Sequence, residues 1–523
     1  MSKHELPKSN PKTQNTNKNN HERIDNYYWL NDREDSEVID YLHAENTYTK
    51  EKLASTEDLQ KELFDEIVAK IVKDDSSVPY ESNGYWYYAR YEEGKDYPIY
   101  CRKKEYLAAD EVIILDVNVL AEGHAYYSVG GLSISPDNAM LCYGVDNISR
   151  RIYTLYFKNL ETGEVLEECI KNTTGSATWA NDNNTLFFTQ MEAETLRAYK
   201  IFRYEMGSCE EVEIYHEVDD TYGVHVSKSK SKKFLFIESY STLSTEVQTL
   251  SADEPMGDFQ VFAKRERDLE YSVEHHDDKF VIATNLEAKN FRLMHCDLEH
   301  TSKEHWKELI AHREDVLLEG FELFNDFLVL EEKKNGLTQI YIKNTKTEES
   351  YYLDFAEAVY DAYISMNLDF DTNELCYGYN SLTTPNSTLR FNMLSKEKTV
   401  LKETEILGDF NKEDYESKRA WVRASDGKRI PLSLVYKKGL VLDGTNPTLQ
   451  YAYGSYGYSM DASFSLSRLS LLDRGFVFAI AHIRGGEELG RAWYEEGKLL
   501  TKMNTFTDFI ACSEYLNRRG IYF

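Results

Sequence analysis

Apolar positions along the chain change rhythm twice. Between about residue 26 and residue 71 they recur every three or four positions, as Val38, Ile39, Leu42 and Leu53, then as Leu59, Leu63, Ile67 and Ile71. That spacing predicts a helical segment. Thr56, followed by Glu57 and Asp58, predicts a helix start within it. From about residue 79 to residue 410 the rhythm shortens to strand-like runs such as "GYWYYARYEEGKDYPIYCRKK", "GGLSISPDNAMLCYGVD", "GSATWANDNNTLFFTQ" and "VHVSKSKSKKFLFIES". Several runs share one layout: alternating strand residues, a turn such as Pro136-Asp137-Asn138 or Asn181-Asp182-Asn183, then a strongly apolar strand. Strand, tight turn and strand at near-constant spacing predict a β-propeller, and the stretch holds about seven blades at roughly 40–50 residues each. An array of β-sandwiches or a β-helix competes, but the run is too long for one sandwich.

The third rhythm begins near residue 411. "RAWVRASDGKRIPLSLVYKK" reads as a hairpin around Asp426-Gly427. Residues 476–483 are apolar almost throughout, as a strand buried on both faces should be. Residues 505–519 form a helical pattern in which Thr505 and Asp508 suggest a capping box and Gly520 a stop. Strand and helix alternate as in a parallel α/β sheet. With no further strand beside it, the run 476–483 is expected to leave an apolar edge.

Composition narrows the partners. The 523 residues carry a formal net charge of −30, which argues against nucleic acid. No stretch is long and apolar enough to suggest a membrane span. The seven cysteines are scattered without a CxxC pair, so a reducing compartment, the cytoplasm, is expected. No metal-ligand spacing or phosphate-binding glycine loop stands out, and no cofactor is expected. Residues 1–24 lack the apolar core of a secretory signal and read as a disordered polar tail.

The stretch "YAYGSYGYSMD" at 451–461 nearly spells Gly-x-Ser-x-Gly. Tyr453 occupies a position where a nucleophile elbow needs a small residue, so Ser455 is not read as the nucleophile. A tyrosine hydroxyl in the loop after the third hydrolase strand is placed to donate to an oxyanion. Simple packing of Tyr451, Tyr453, Tyr456 and Tyr458 is the competing account.

Four motifs, "DNYYWLND", "YAYGSYG", "FSLSRLSLLDRGFVFAIAHIRGGEELGRAWYEEGK" and "NTFTDFIACSEYL", together resemble the prolyl oligopeptidase family of serine peptidases, in wording nearest its oligopeptidase B branch. The resemblance runs over residues 25–520. It implies a helical segment at 25–78 packed on a hydrolase domain, a seven-bladed propeller at 79–410, and the N-terminal part of an α/β-hydrolase domain at 411–523. It also implies that Tyr453 is the oxyanion-hole tyrosine and that Asp461, Tyr456 and Arg484 are substrate-binding residues. The branch's second acidic position falls on Ser463, which weakens the case for a strong dibasic preference.

The implied activity is cleavage of short peptides, basic ones by preference, after Arg or Lys. The family's serine sits in an elbow after the next strand, with Asp and His behind it. The triad is therefore expected beyond Phe523, with the 523 residues inactive by themselves through a truncation or frameshift near "GIYF". A non-catalytic peptide- or partner-binding propeller, and a prolyl-specific endopeptidase of the same family, are the alternatives.

Overall fold

The computed structural model describes residues 6–18 and 20–521. It divides into two compact units, Met1–Ile71 and Val72–Phe523.

Over its paired strands the smaller unit corrects the expectation of a disordered tail at 1–24, of which residues 1–5 and 19 lie outside the described residues. Strands Gln14–Lys18 and His21–Asp25 pair antiparallel. Asn20 turns the chain with φ 60°, a conformation that asparagine tolerates. Composition marked this stretch as polar and missed its turn chemistry. Helix Ser36–Leu53 is capped by Asp35, whose carboxylate accepts from the Glu37 N–H at 2.9 Å. Helix Glu57–Ala69 follows Thr56, whose hydroxyl donates back to the Leu53 carbonyl at 2.7 Å instead of capping the new helix. Leu42, Leu53, Leu59 and Phe64 are exposed on these helices.

The larger unit opens with a β-propeller of seven blades. One five-stranded sheet, one seven-stranded sheet and four four-stranded sheets follow each other in chain order. The seven-stranded sheet is two blades joined by one 15-residue strand, Val165–Trp179, which pairs with Tyr153–Asn159 on one side and Thr185–Met191 on the other. The first and last blades exchange no strand. Lys402 of the last blade donates to Asp75 of the first at 2.6 Å. The turns read from sequence recur at equivalent places, with Asn138 at φ 63° and Asn183 at φ 60°. The Asp137 N–H donates to the Asn183 side chain at 2.8 Å and so links neighbouring blades.

Cores lie between successive blades. Phe236 and Phe262 of one pack on Phe280, Met294 and Trp306 of the next. His275 and His276 end the strand Tyr271–His276. His275 is buried against Phe234 and Phe280 because alternate strand positions face the core.

The hydrolase sheet has the order Tyr415–Arg423, Arg429–Lys437, Val477–Ala481, Thr448–Tyr451, with the last two parallel. One face packs Leu432, Leu434, Ala479 and Ala481 with Cys512 and Leu516 of helix Met503–Arg518. The other packs Val435, Phe478 and Ile480 with Leu469 and Leu472 of helix Leu466–Leu472. The apolar run is therefore interior. The edge strand is Thr448–Tyr451, where Leu449 and Tyr451 are exposed, so the expectation of an apolar edge at 476–483 is corrected.

Where the shared strand of blades two and three crosses its neighbours, side chains are excluded. A Cβ on Gly144 would lie 2.4 Å from the Gly175 carbonyl oxygen, and one on Gly175 would lie 2.7 Å from the Tyr153 ring. Gly144→Ala is expected to destabilise the unit by about 1–3 kcal/mol, as overpacking does. It should lower the thermal midpoint followed by circular dichroism; an unchanged midpoint would refute the tight crossing.

Candidate active site

The two parallel hydrolase strands end at the same side of the sheet, where open α/β sheets bind ligands. The loops leaving them carry the candidate residues. The Gly457 N–H donates to the Gly485 carbonyl at 2.9 Å and stitches the loops together.

Arg484 organises this junction. It is 2 % exposed, with Nε on Asp508 Oδ2 at 2.8 Å, a terminal nitrogen on Asp508 Oδ1 at 2.6 Å, and the other on Asp426 Oδ2 at 2.7 Å. The Asp508 contact, followed by Asp426, raises the guanidinium pKa further despite burial. The sequence assigns Arg484 to substrate binding. The structure corrects this, because its donors are consumed inside the protein. The capping box is corrected too. Thr505 donates to the carbonyls of Arg484 and Gly497, and Asp508 is fully buried on the arginine, two turns of chemistry that the local sequence pattern conceals.

Gly485, at φ 106°, brings the two loops together, since a Cβ there would lie 2.0 Å from the Gly454 carbonyl oxygen. Lys502 donates to that carbonyl at 2.5 Å and to Ser455 Oγ at 2.8 Å. Ser455 is thus tied into the turn. Tyr453 stands 47 % exposed, edge-on to Tyr458 with ring centroids 5.8 Å apart, and its hydroxyl meets no partner among the described residues. Tyr456, at φ 57°, is also exposed and lines a cavity of about 420 Å³ with Ser455, Tyr494, Lys498 and Lys502.

Asp461 faces the propeller. Its Oδ1 accepts from Lys333 Nζ at 3.0 Å, and the same ammonium lies 3.1 Å from Glu319 Oε1. Burial opposes the charge on Lys333, but Glu319 and Asp461 outweigh it and raise its pKa. Burial pushes Glu319 and Glu488 up to about 7 and Asp361 up to about 6. Sequence reasoning found Asp461 and missed the propeller residues around it. They come from strands a hundred or more positions away, and no local pattern marks them.

His482 is 3 % exposed with Nε2 2.7 Å from Ser433 Oγ. Burial holds its pKa down to about 3.

Removing one partner of a buried pair strands the other charge and costs about 3–5 kcal/mol. Asp508→Ala is expected to lose stability on that scale, read as a lower denaturation midpoint; a neutral result would show that Arg484 does not depend on it. Glu488 gives a pH signature. Its folded pKa of about 7 lies above the ordinary 4.5, so its ionisation progressively removes stability as pH rises from about 4.5 to about 7. Glu488→Gln should therefore melt above the parent by an increment that grows over that window, reaching on the order of 3 kcal/mol, and stays level above it. An increment independent of pH would contradict the assignment.

Residues 7–404 match the family model described as prolyl oligopeptidase, N-terminal beta-propeller domain, and residues 462–523 match that of the prolyl oligopeptidase family. Dipeptidyl aminopeptidase BI of Pseudoxanthomonas mexicana is 43% identical over 520 residues, covering 95% of this chain and 72% of the relative. Protease 2 of Moraxella lacunata is 34% identical, covering 94% and 72%. The solved structure of oligopeptidase B from Leishmania major superposes with a TM-score of 0.91 at 33% identity, covering 100% of this chain and 75% of that one. In sequence and in superposed structure alike, the chain belongs to the prolyl oligopeptidase family of serine peptidases.

Proposed function

We propose that the protein is a serine oligopeptidase acting on short peptides after Arg or Lys. The observation that carries this reading is the free Tyr453 hydroxyl at the carboxyl end of the parallel strands, on a turn clamped by Gly485 and Lys502. A fixed donor of this kind stabilises the oxyanion of acyl transfer. Asp461 and the net charge of −30 support basic substrates. The propeller over this face supports short ones. Free thiols at all seven cysteines support a reducing, cytoplasmic setting. Residues 1–523 contribute the oxyanion donor but no Gly-x-Ser-x-Gly elbow, and by themselves are proposed to be without hydrolytic activity.

The relative named dipeptidyl aminopeptidase BI favours a second reading within the same chemistry, removal of dipeptides from the amino end of a peptide.

The test is the native protein in its own cells, treated with a fluorophosphonate probe. The expected result is a labelled species that hydrolyses arginyl and lysyl amides. In it, Tyr453→Phe lowers kcat by about 100- to 1000-fold, the usual loss for one oxyanion donor, with KM nearly unchanged. A species that takes up no probe and cleaves nothing would favour the non-catalytic binding protein, and full activity in Tyr453→Phe would remove the tyrosine from the mechanism.

A further inference from the structure

A cavity of about 590 Å³ opens where the propeller is farthest from the hydrolase sheet. Five blades line it: Ser82 of the first, Lys228 and Lys232 of the fourth, Glu274 of the fifth, Glu322 of the sixth and Ser365 of the seventh. A recess shared by so many blades lies on the propeller axis. Strand Val316–Leu323 of the sixth blade fixes which end this is. It starts opposite Lys334, next to the Asn335 carbonyl that accepts from Arg419 of the hydrolase sheet, and it finishes at the cavity.

In a chain of net charge −30, three ammonium groups meet in this recess. Lys230 is matched. Its Nζ donates to Glu322 Oε1 at 2.5 Å and to the Leu323 carbonyl at 2.7 Å, over the Phe324 ring. The other two rest on neutral oxygens. Half-buried Lys228 donates to Asn181 Oδ1 at 3.0 Å, and exposed Lys232 reaches across to Asn83 Oδ1 of the first blade at 2.5 Å. Neither has a carboxylate partner among the described residues. Burial, then the charge of Lys232, lowers the Lys228 pKa to about 8, against the pull of Asp253 and Asp182. Two ammonium groups that repel each other in one recess are both relieved by an anion.

The lining suggests which anion. Lys228, Lys230 and Lys232 face Glu274 and Glu322, a surplus of one positive charge that a monoanion balances. A phosphate dianion would overshoot it and meet the repulsion of both glutamates. The recess is also apolar on one side, where Met366 and Leu368 of the seventh blade stand about half exposed. A carboxylate attached to an apolar residue uses both features. Its two oxygens can take one ammonium each, replacing carboxamide oxygens that carry no full charge.

We propose that Lys228 and Lys232 form a receptor for a peptide carboxylate at the far end of the propeller axis, with Met366 and Leu368 receiving the adjoining apolar residue. The carboxylate is the peptide's carboxyl terminus or an acidic side chain. That it belongs to a peptide rests on the peptidase reading. The charge chemistry does not, and the site is separate from the turn bearing Tyr453.

Calorimetry on the 523-residue protein compares N-acetyl-Ala-Ala-Leu, its carboxyl-terminal amide, N-acetyl-Ala-Glu-Leu-amide and inorganic phosphate. At least one carboxylate peptide is expected to bind about tenfold or more tighter than both the neutral amide and phosphate. Tight N-acetyl-Ala-Ala-Leu identifies the carboxyl terminus, and tight N-acetyl-Ala-Glu-Leu-amide the acidic side chain. Lys228→Met and Lys232→Gln should each weaken that binding by about tenfold. Lys232 is exposed, so its variant decides the test if Lys228→Met fails to fold. Equal binding of the neutral amide, tighter binding of phosphate, or full affinity in the folded variants would overturn the proposal. A carboxylate preference in a protein that takes up no fluorophosphonate would uphold the receptor and count against the peptidase reading alone. A labelled, hydrolysing protein without the preference would overturn the receptor alone.

Discussion

The bidentate pair of Arg484 and Asp508 is the constraint on which the site geometry depends. It joins the loop leaving the central parallel strand to the helix Met503–Arg518, with both side chains out of water. A charge buried to this degree is tolerable only when it is paired, and Asp426 engages the third guanidinium nitrogen. With that loop immobile, Gly485 can lie against Gly454, and the turn bearing Tyr453 inherits the rigidity of a packed core. The catalytic value of a preorganised donor comes from not having to reorganise as charge develops. In the mechanism proposed for Tyr453, that preorganisation would originate in the buried ion pair of Arg484 and Asp508.

A second electrostatic feature works in the opposite sense. Around Lys333 the charges do not balance, and burial leaves several carboxyls reluctant to ionise. The pair at Arg484 is saturated and therefore structural. At Lys333 the ammonium is shared between Glu319 and Asp461, and burial leaves the neighbouring carboxyls only partly compensated. The two regions lie close along the chain, since Glu488 stands two residues beyond the Arg484-Gly485-Gly486 turn.

Much of the architecture was legible because it is written in short-range periodicity. The blade hairpins announce themselves through Asn and Asp at their tips. The strand Val477–Ala481 does so through an unbroken apolar run, and the final helix through Phe506, Phe509, Ile510 and Leu516 at helical spacing, although Phe506 and Ile510 prove exposed. Tyr453 and Asp461 were legible through motif wording. What escaped was whatever depends on two distant segments meeting. Thr505 and Asp508 look like a cap in one dimension and are a buried clamp in three. Arg484 looks like a substrate contact until its partners at Asp426 and Asp508 are known. Glu319, Glu331, Lys333 and Asp361 carry no local signal, because their strand positions are ordinary for alternating residues and only the ring brings them to one face. At 14–25 the reverse holds, since a local turn was hidden by a bland polar composition.

The strand Val165–Trp179 has a mechanical consequence. Elsewhere around the propeller neighbouring blades share no strand and meet through side-chain packing and isolated backbone hydrogen bonds, such as the Asn181 N–H on the Ala252 carbonyl and the Leu318 N–H on the Asn290 carbonyl. Between the second and third blades a continuous hydrogen-bonded strand crosses the joint, locked by glycines packed backbone to backbone. The ring is therefore not a barrel of seven equivalent staves. It has one welded double stave, and any breathing of the propeller must be taken up by the other joints, with the weld as the stationary frame.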